Sequence, residues 1–291
     1  MNRTHRSRLA SMLLATPIAL SQSAAFAYQV EAGGSFGMNT RDGTVYNYTI
    51  YDGFFETYTV VESESVDDTD FTFDVHGTYY LSNVNNQGGP RKYDPFLAKA
   101  SSVSGSLYYD GSGNVLSFGG RYVLEQLDQV DGVFIGGNLT SASNDSYSRD
   151  SFTITGGKYL TDTSTFTVDL YSADSSDFGD DGRDIVLGLH YLTLLTLNEE
   201  QFLGVSGGLG FGDYTYFYGN GEFFLSKDIS FGAGIGINDD DDYEHFQLSL
   251  FGTFFIEPNI KTSAGFLYRD VEAWFGDYDR IIFEVGVDLR F

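Results

Sequence analysis

The sequence predicts an all-β protein, a transmembrane antiparallel up-and-down β-barrel of about 14 strands, with 12 or 16 strands as the nearest alternatives. Three observations lead to this fold class. Segments of alternating apolar and polar residues recur throughout residues 28–291. Glycine, with 35 residues, and aromatic residues, at 16%, are abundant, whereas only four prolines occur, as expected for many strands joined by polar turns. The last alternating segment ends in the C-terminal residue Phe291.

The N-terminal residues 1–27 are predicted to be a cleaved export signal. Basic residues precede residue 9, Leu9 to Leu20 form a short and mostly apolar core, and Ala25-Phe26-Ala27 matches an A-x-A cleavage pattern. The apolar core is shorter than the roughly 20 residues that a transmembrane helix needs. We therefore expect the mature chain to begin at Tyr28, with residues 28–291 forming one outer-membrane barrel domain.

Composition excludes several classes of function. Three of the 16 basic residues lie in the predicted signal, so 13 basic residues face 41 acidic ones in residues 28–291, a formal charge of −28. Binding to nucleic acid phosphates needs clustered Lys and Arg, and we expect no nucleic acid partner. The absence of cysteine excludes disulfides, thiol catalysis and Cys zinc sites. No apolar run after Leu20 approaches 18 residues, so a membrane-embedded chain would have to be a closed barrel.

The final segment shows the alternation most clearly. An apolar set ending in Val287, Leu289 and Phe291 alternates with a set that contains Glu284, Asp288 and Arg290, and in a strand the two sets face opposite sides. A two-layer sandwich could show the same alternation. The terminal Phe291 favours the barrel, because it resembles the assembly signal with which outer-membrane barrels end.

The same alternation upstream predicts the remaining strands and the side on which each connection lies. If the chain starts on the periplasmic side, the odd-numbered connections face outward and should be longer; they include 39–68, 142–149, 174–183, 238–242 and 270–279. The predicted strands lie near residues 28–38, 69–81, 102–110, 115–124, 132–141, 150–159, 165–173, 184–196, 201–212, 214–225, 229–237, 243–256, 260–269 and 280–291.

Two connections carry structure of their own. Residues 39–68 contain Asp52-Gly53 between alternating runs, which is a hairpin signal. They form either a protruding hairpin or two further barrel strands, which would raise the count to sixteen. Residues 94–100 form either a helix of one or two turns, with Asp94 at the N-cap and Pro95 at N1, or an irregular turn.

Placing the polar face of each strand inward gives a set of charged residues that line the lumen. Their mixed signs would create a transverse field that orients polar solutes, or they would pair with one another and block flow. The pore-lining candidates are Asp74, His76, Arg121, Asp169, His190, Glu222, His245, Glu284, Asp288 and Arg290.

Catalytic, cofactor and metal sites are not predicted. Only His76, His190 and His245 remain after the signal, and none lies in a local pattern that indicates a triad. The acidic runs at 67–70, 180–181 and 239–242 lie in predicted outer connections. They lack the Asp-x-Asp-x-Asp-Gly calcium spacing, so a solvated charge run is favoured over the hypothesis that they gather divalent cations.

Residues 77–104 resemble a family of general bacterial porins from Gram-negative bacteria. Gly77-Thr78-Tyr79-Tyr80-Leu81, Gly89-Pro90 and Phe96–Ser104 follow the family pattern G-T-Y-Y-F, G-P and F-L-x-R-A-S-x-V-S. The start of the predicted mature chain, Tyr28–Gly34, and the final Phe291 are similar too. Departures are Leu81 for Phe, Lys99 for Arg, the basic pair at 91–92 and the additional segment 39–68.

The resemblance implies a porin of the Gram-negative outer membrane. The function expected is passive diffusion of small hydrophilic solutes, with a weak preference for cations, and no enzymatic activity. Expected partners are outer-membrane lipid and lipopolysaccharide, small solutes and ions, and two further copies in a homotrimer, the last by analogy with general porins. The alternative is a non-conducting structural or surface-interaction barrel, with residues 39–68 as its exposed feature.

Overall fold

The fold is a closed antiparallel barrel of fourteen strands, each paired with its neighbours in the chain, and the last strand closes onto the first. The predicted class and the count of about 14 strands are confirmed. The computed structural model describes residues 27–52, 57–85, 88–109, 113–124, 132–144, 148–175, 182–240, 243–273 and 276–291. The predicted signal peptide lies, apart from Ala27, outside the described residues.

The strands carry their numbers in chain order. They are β1 Ala27–Asp52, β2 Thr57–Asn85, β3 Ser102–Tyr109, β4 Gly113–Leu124, β5 Val133–Asn144, β6 Ser148–Thr161, β7 Ser164–Ser175, β8 Gly182–Thr196, β9 Phe202–Gly212, β10 Thr215–Ser226, β11 Ile229–Asp240, β12 Tyr243–Glu257, β13 Ile260–Ala273 and β14 Gly276–Arg290.

Alternation along each strand sorts the side chains onto two faces. On β14, Phe283, Val285 and Val287 are exposed on the outer surface, whereas Asp288 and Arg290 are buried inside. The large exposed hydrophobic residues of the other described strands likewise fall on outward positions. A soluble monomer rarely exposes so continuous an apolar surface, and the outer face therefore has the character of a surface that contacts lipid.

The backbone of the last residue completes the closure of the barrel. The amide of Phe291 donates to the carbonyl of Val30 at 2.8 Å, and the carbonyl of Phe291 accepts the amides of Gln29 and Val30 at 2.7 and 3.0 Å. The Phe291 side chain is exposed on the outer face. The start of β1 and the end of β14 therefore lie at one rim of the barrel, which we call the terminal rim; the other is the distal rim.

The described parts of residues 39–68, namely 39–52 and 57–68, continue β1 and β2 as one antiparallel pair that extends past the end of β14 at the distal rim. β1 pairs with β14 as far as Val45↔Gly276, and beyond that its described partner is β2, as far as Asp52↔Thr57. Of the two predicted possibilities, the protruding hairpin is the observed one, and the sixteen-strand alternative is wrong. One register is kept from Val30↔Tyr79 to Asp52↔Thr57, so Asp52 of the predicted Asp-Gly turn belongs to the paired strand β1.

The other distal connections are shorter than predicted. β5 and β6 take up all but 145–147 of the predicted connection 142–149, and β13 and β14 take up all but 274–275 of 270–279. The polar and acidic composition at the distal ends of these strands predicts loops. In the structure these residues continue the ladder, since backbone pairing above the apolar belt does not require apolar side chains.

The connection between β2 and β3 contains the only helices among the described residues, a 3₁₀ turn at Arg91–Tyr93 and the one-turn helix α1 at Asp94–Leu97. The predicted short helix is present, but its N-cap is Tyr93 and the assignment of Asp94 to that position is wrong. Asp94 already has helical backbone angles, because the preceding 3₁₀ turn begins the helical geometry earlier. Neither helical segment is long and apolar enough to cross a membrane.

Candidate functional site in the barrel lumen

Residues 88–101 fold into the barrel at its terminal rim, and we call them the lumen segment. Lys92 places its Nζ 2.8 Å from both carboxylate oxygens of Glu222 on β10. The amide of Arg91 donates to the carbonyl of Lys227 at 2.9 Å. On the opposite wall, Nη2 of Arg121 donates to the carbonyl of Ala100 at 3.1 Å. The segment thus crosses the lumen and is attached on both sides.

Aromatic and aliphatic packing fixes the middle of the lumen segment. The Phe96 ring stacks on Tyr159 of β6 with centroids 5.4 Å apart, and the Tyr159 hydroxyl donates to the Phe96 carbonyl at 3.0 Å. The Tyr93 ring meets Phe224 of β10 edge-on at 5.6 Å. Leu97 packs against both groups of buried residues. This apolar layer narrows the terminal rim of the lumen.

Burial also affects the chemistry of Tyr93. Its removal from water raises the pKa of its phenol above the ordinary value, and the neighbouring Glu222 carboxylate raises that pKa further. The Tyr93 hydroxyl lies 3.5 Å from Oε2 of Glu222 and remains a neutral donor at physiological pH. Gly204 of β9 leaves the space for it, because a Cβ there would lie 3.0 Å from the Tyr93 hydroxyl oxygen.

Arg290 on β14 connects the barrel wall to the lumen segment. Its side chain is 1% exposed, its Nε donates to Oε2 of Glu31 at 3.1 Å, and its Nη1 lies 3.5 Å from Oδ2 of Asp94. The same Nη1 donates to the carbonyl of Arg91 at 3.0 Å. The rings of Tyr28 and Phe255 lie 4.6 and 4.7 Å from its guanidinium carbon. A buried guanidinium needs this many partners, since an unpaired one would be strongly destabilising.

The charged group around Arg290 continues over the four adjacent strands β2, β1, β14 and β13. His76 of β2 has Nδ1 2.5 Å from Asp74 and Nε2 2.5 Å from Asp288 of β14. Lys261 of β13 lies 3.0 Å from both Asp288 and Glu31. β1 runs between β2 and β14 and has no side chain in the way, because Gly33 pairs with both His76 and Asp288.

On the wall formed by β7 to β10, His190 is surrounded by a carboxylate and two phenols. Its Nε2 lies 2.9 Å from Oδ2 of Asp169 and 3.2 Å from the Tyr216 oxygen, and its Nδ1 lies 3.0 Å from the Tyr218 oxygen. Local sequence around His190 contains no such partner, because Asp169 comes from the neighbouring strand β7. These contacts orient the two tyrosine rings, and none involves a serine hydroxyl that would make a triad.

Two cavities open along the lumen. The first, about 320 Å³, lies above the lumen segment and is lined by Lys92, Tyr93, Gly204, Ser206, Asn220, Glu222, Ser249 and Phe251. The second, about 390 Å³, lies against β2 to β5 and is lined by His76, Gly77, Thr78, Ser104, Gly105, Ser106, Ser117 and Asn138. Both contain hydroxyl and amide groups; the first adds the rings of Tyr93 and Phe251 and the Lys92–Glu222 pair, and the second adds the imidazole of His76.

All ten sequence-predicted residues occupy inward positions of their strands. The structure brings Asp74, His76, Asp288 and Arg290 into one charged group, and pairs Asp169 with His190. The other four lie apart from these groups. Glu222 forms an ion pair with Lys92, and Glu284 accepts a hydrogen bond from Thr72 at 3.3 Å. Arg121 donates to the carbonyl of Ala100, and His245 lies on the inward face of β12.

Sequence reasoning did not identify the residues of the lumen segment as lumen residues. Lys92, Tyr93 and Asp94 lie in a connection without strand periodicity, which predicts no direction for their side chains. The one signal in the sequence is the length of this connection. The other turns at the same rim are short, and a long connection among them indicates a segment that packs against or inside the barrel. Among the residues that the structure describes, no group of three or more His, Asp or Glu side chains is placed to hold a metal ion.

Comparison with known proteins supports the fold. No protein-family model and no curated protein sequence matches the chain. The solved structure of the outer membrane protein Omp33 of Acinetobacter baumannii matches at 17% identity with a TM-score of 0.63, over 92% of this chain and 100% of that one. A CymD monoaromatic hydrocarbon channel matches at 8% identity and a TM-score of 0.49, over 91% of this chain and 89% of that one. A FadL homologue of Pseudomonas aeruginosa matches at 9% identity and a TM-score of 0.49, over 90% of each chain. The likeness to Omp33 agrees with the barrel fold that the sequence resemblance implied.

Proposed function

We propose that the protein is an outer-membrane channel through which small hydrophilic solutes diffuse passively. The observation that carries the proposal is the division of the barrel into an apolar outer face and a polar, charged inner face that surrounds open cavities. The outer face matches lipid and the inner face matches water, as transmembrane barrels require. In this proposal residues 1–27 direct export, lipid and lipopolysaccharide surround the barrel, and solutes and ions pass through it.

The ten inward residues would set the preference of the pore. Basic and acidic side chains lie on the same walls and are largely paired, as in the group formed by Asp74, His76, Asp288 and Arg290. Paired charges give a local transverse field with little net charge. The acidic residues at the distal rim add a negative potential, which is screened over about 8 Å at physiological ionic strength. We therefore propose a weak preference for cations.

A second candidate function is that of a barrel that does not conduct, and the observation that favours it is the lumen segment. Its attachment to walls on both sides narrows the terminal rim, and a fully occluded rim would leave the distal hairpin as the functional surface. The two candidates differ in whether ions pass between Lys92 and the wall formed by β2 to β5, where the second cavity lies.

Conductance in a planar bilayer separates the candidates. The full chain is expressed with its own N-terminal segment, extracted from the outer-membrane fraction and reconstituted under a KCl gradient. We expect stable current steps and a small reversal potential that favours potassium. A protein that migrates as a folded, heat-modifiable barrel and never conducts would overturn the channel proposal and favour the surface-interaction barrel. Recovery of the protein in another fraction would overturn the outer-membrane location.

A further inference from the structure

Two tyrosine rings lie flat against the lumen wall. Tyr216 and Tyr218 follow one another on the inward face of β10, with centroids 6.5 Å apart and an interplanar angle of 18°. Each ring covers a glycine of β9: a Cβ at Gly210 would approach the Tyr216 ring to 2.1 Å, and one at Gly208 would approach the Tyr218 ring to 2.6 Å. One face of each ring therefore lies against the backbone of β9, where the glycines have no side chain, and the opposite face is directed toward the lumen.

The inward side chains that follow these rings along β10 line the first cavity. Asn220 and Glu222 are the next inward residues after Tyr218. Asn220 lies beside Ser206 of β9, where its amide nitrogen is 3.4 Å from the serine oxygen. The cavity of about 320 Å³ also includes Ser249 and the Phe251 ring, and its volume is within the range of small-ligand sites, roughly 300–1,000 Å³.

The charges at the base of the cavity are already satisfied. Lys92 contacts both carboxylate oxygens of Glu222, and the Ser230 hydroxyl donates to the same carboxylate at 2.6 Å. Lys92 also lies 5.0 Å from the centre of the Phe251 ring. An ionic ligand would have to compete with this pair. A neutral ligand would instead use the amide of Asn220 and the hydroxyls of Ser206 and Ser249.

We propose that Tyr216, Tyr218, Asn220, Ser206, Ser249 and Phe251 form a saccharide-binding site inside the lumen. A pyranose ring carries polarised C–H bonds on its faces and hydroxyl groups around its edge. The C–H faces match the electron-rich faces of aromatic rings, and the hydroxyls match neutral amide and hydroxyl partners. The inference rests on the proposed function, because the sugar reaches the site through the lumen, and it names a class of solute for that channel.

The test is binding of maltose to the detergent-purified full chain, in a detergent without a sugar headgroup. Saturation-transfer NMR detects transfer from aromatic protein protons to the pyranose protons, and a titration gives the dissociation constant. We expect weak, saturable, millimolar binding, since a channel site has to release its solute. Sodium glutamate and glycine are the charged and zwitterionic probes, and saturable binding of either one with none of maltose would overturn the saccharide assignment.

Matched variants identify the site. Asn220→Leu and Tyr218→Leu should each weaken maltose binding about tenfold, since a lost hydrogen bond or ring contact is worth roughly that factor. Asn138→Leu and Tyr108→Leu, inward residues on β5 and β3, should change it less than about twofold. Equal weakening by all four variants, or by none, would overturn the site.

Conductance measured on the same preparation separates this inference from the proposed function. Current steps without saturable maltose binding would overturn the saccharide site and leave the channel proposal standing. Site-specific maltose binding by a barrel that passes no current would support the site and overturn the channel. Current that maltose reduces in the wild type, and reduces less in Asn220→Leu, would support both.

Discussion

Gly33 lies between two charged side chains that meet across its strand. His76 on one side and Asp288 on the other pair with it, and the imidazole and carboxylate come together over the bare Cα. A Cβ at Gly33 would lie 2.2 Å from Oδ1 of Asp288 and 2.6 Å from the carbonyl of Val287. The carbonyl belongs to the backbone and cannot move aside easily. The contact between β2 and β14 therefore depends on a glycine at this position.

Substitution of Gly33 by Ala should destabilise the barrel. Overpacking against backbone and the displaced Asp288 should lower the free energy of unfolding by about 1–3 kcal/mol. Urea titration of the purified protein, followed by its heat-modifiable gel shift, measures the change. Gly265→Ala on β13, two strands away, is the control, because nothing lies within 4 Å of a Cβ there. Equal unfolding midpoints for the two variants would contradict the role of Gly33.

Some residues could be placed from sequence and others could not. Asp74 and His76 were assigned inward because strand alternation determines direction. That Asp288 would meet His76 depends on barrel closure, which joins residues 212 positions apart. Alternation predicts which face a side chain occupies, but the distance between two inward side chains depends on register and on glycines such as Gly33.

At the scale of elements, the lumen segment is held by interactions of unequal strength. Lys92 pairs with Glu222, whose side chain is 5% exposed, whereas Lys99 pairs with Asp162, whose side chain is 91% exposed. Exposed ion pairs contribute little because water and salt screen them. The attachment through Lys92 should therefore hold the segment far more firmly than the one through Lys99.

Lys92→Ala should widen the pore, and Lys99→Ala should not. Loss of the Lys92 side chain leaves the Glu222 carboxylate without its cation and removes both the bulk of the ammonium group and one attachment of the lumen segment, which Arg91 still holds through Lys227 and Arg290. We expect larger single-channel conductance for Lys92→Ala in the planar bilayer, with the step size of Lys99→Ala equal to that of the wild type. The idea that this attachment narrows the pore would be contradicted by identical step sizes in all three proteins.

The strands were predictable as elements, and the connections much less so. Each strand repeats one rule over many residues, so its presence can be recognised from local pattern alone. The lumen segment follows no such rule: Lys92 and Glu222 lie 130 residues apart, and Arg290 contacts the carbonyl of Arg91 from 199 residues away. Its helix was predicted as a local feature, while its position inside the barrel depends on walls that come from the whole chain.

At the scale of the whole molecule, the backbone of Phe291 takes part in closing the barrel, whereas its side chain does not. The Phe291 backbone hydrogen-bonds to Val30 and Gln29, and any residue except proline could make these bonds. Its ring is exposed on the outer face and adds few contacts inside the folded protein. A requirement for an aromatic ring at this position would therefore arise during assembly into the membrane, before the barrel is closed.

Phe291→Ser should lower the amount of barrel in the outer membrane without changing the stability of the barrels that form. Val287→Ser is the control, because Val287 faces outward on the same strand and is 50% exposed, comparable to the 56% of Phe291. Immunoblots of membrane fractions measure the yield, and the temperature of the gel shift measures stability. Equal yields for the two variants would contradict an assembly role for the terminal residue.

The protruding hairpin has two strand edges without a partner among the described residues, one on β1 beyond Val45 and a longer one on β2 before Phe73. A closed barrel has no unpaired strand, yet within the described residues β2 pairs with β3 only from Phe73 to Tyr80. Its portion before Phe73 pairs with β1 on one side and has no strand partner within the described ranges on the other, and an edge of this kind can accept a foreign strand. Asp67, Asp68 and Asp70 lie along this portion. Carboxylates repel one another when two such edges approach, and Asp67 and Asp68 are exposed there. We therefore expect the acidic run to disfavour pairing between the hairpins of neighbouring copies into a shared sheet.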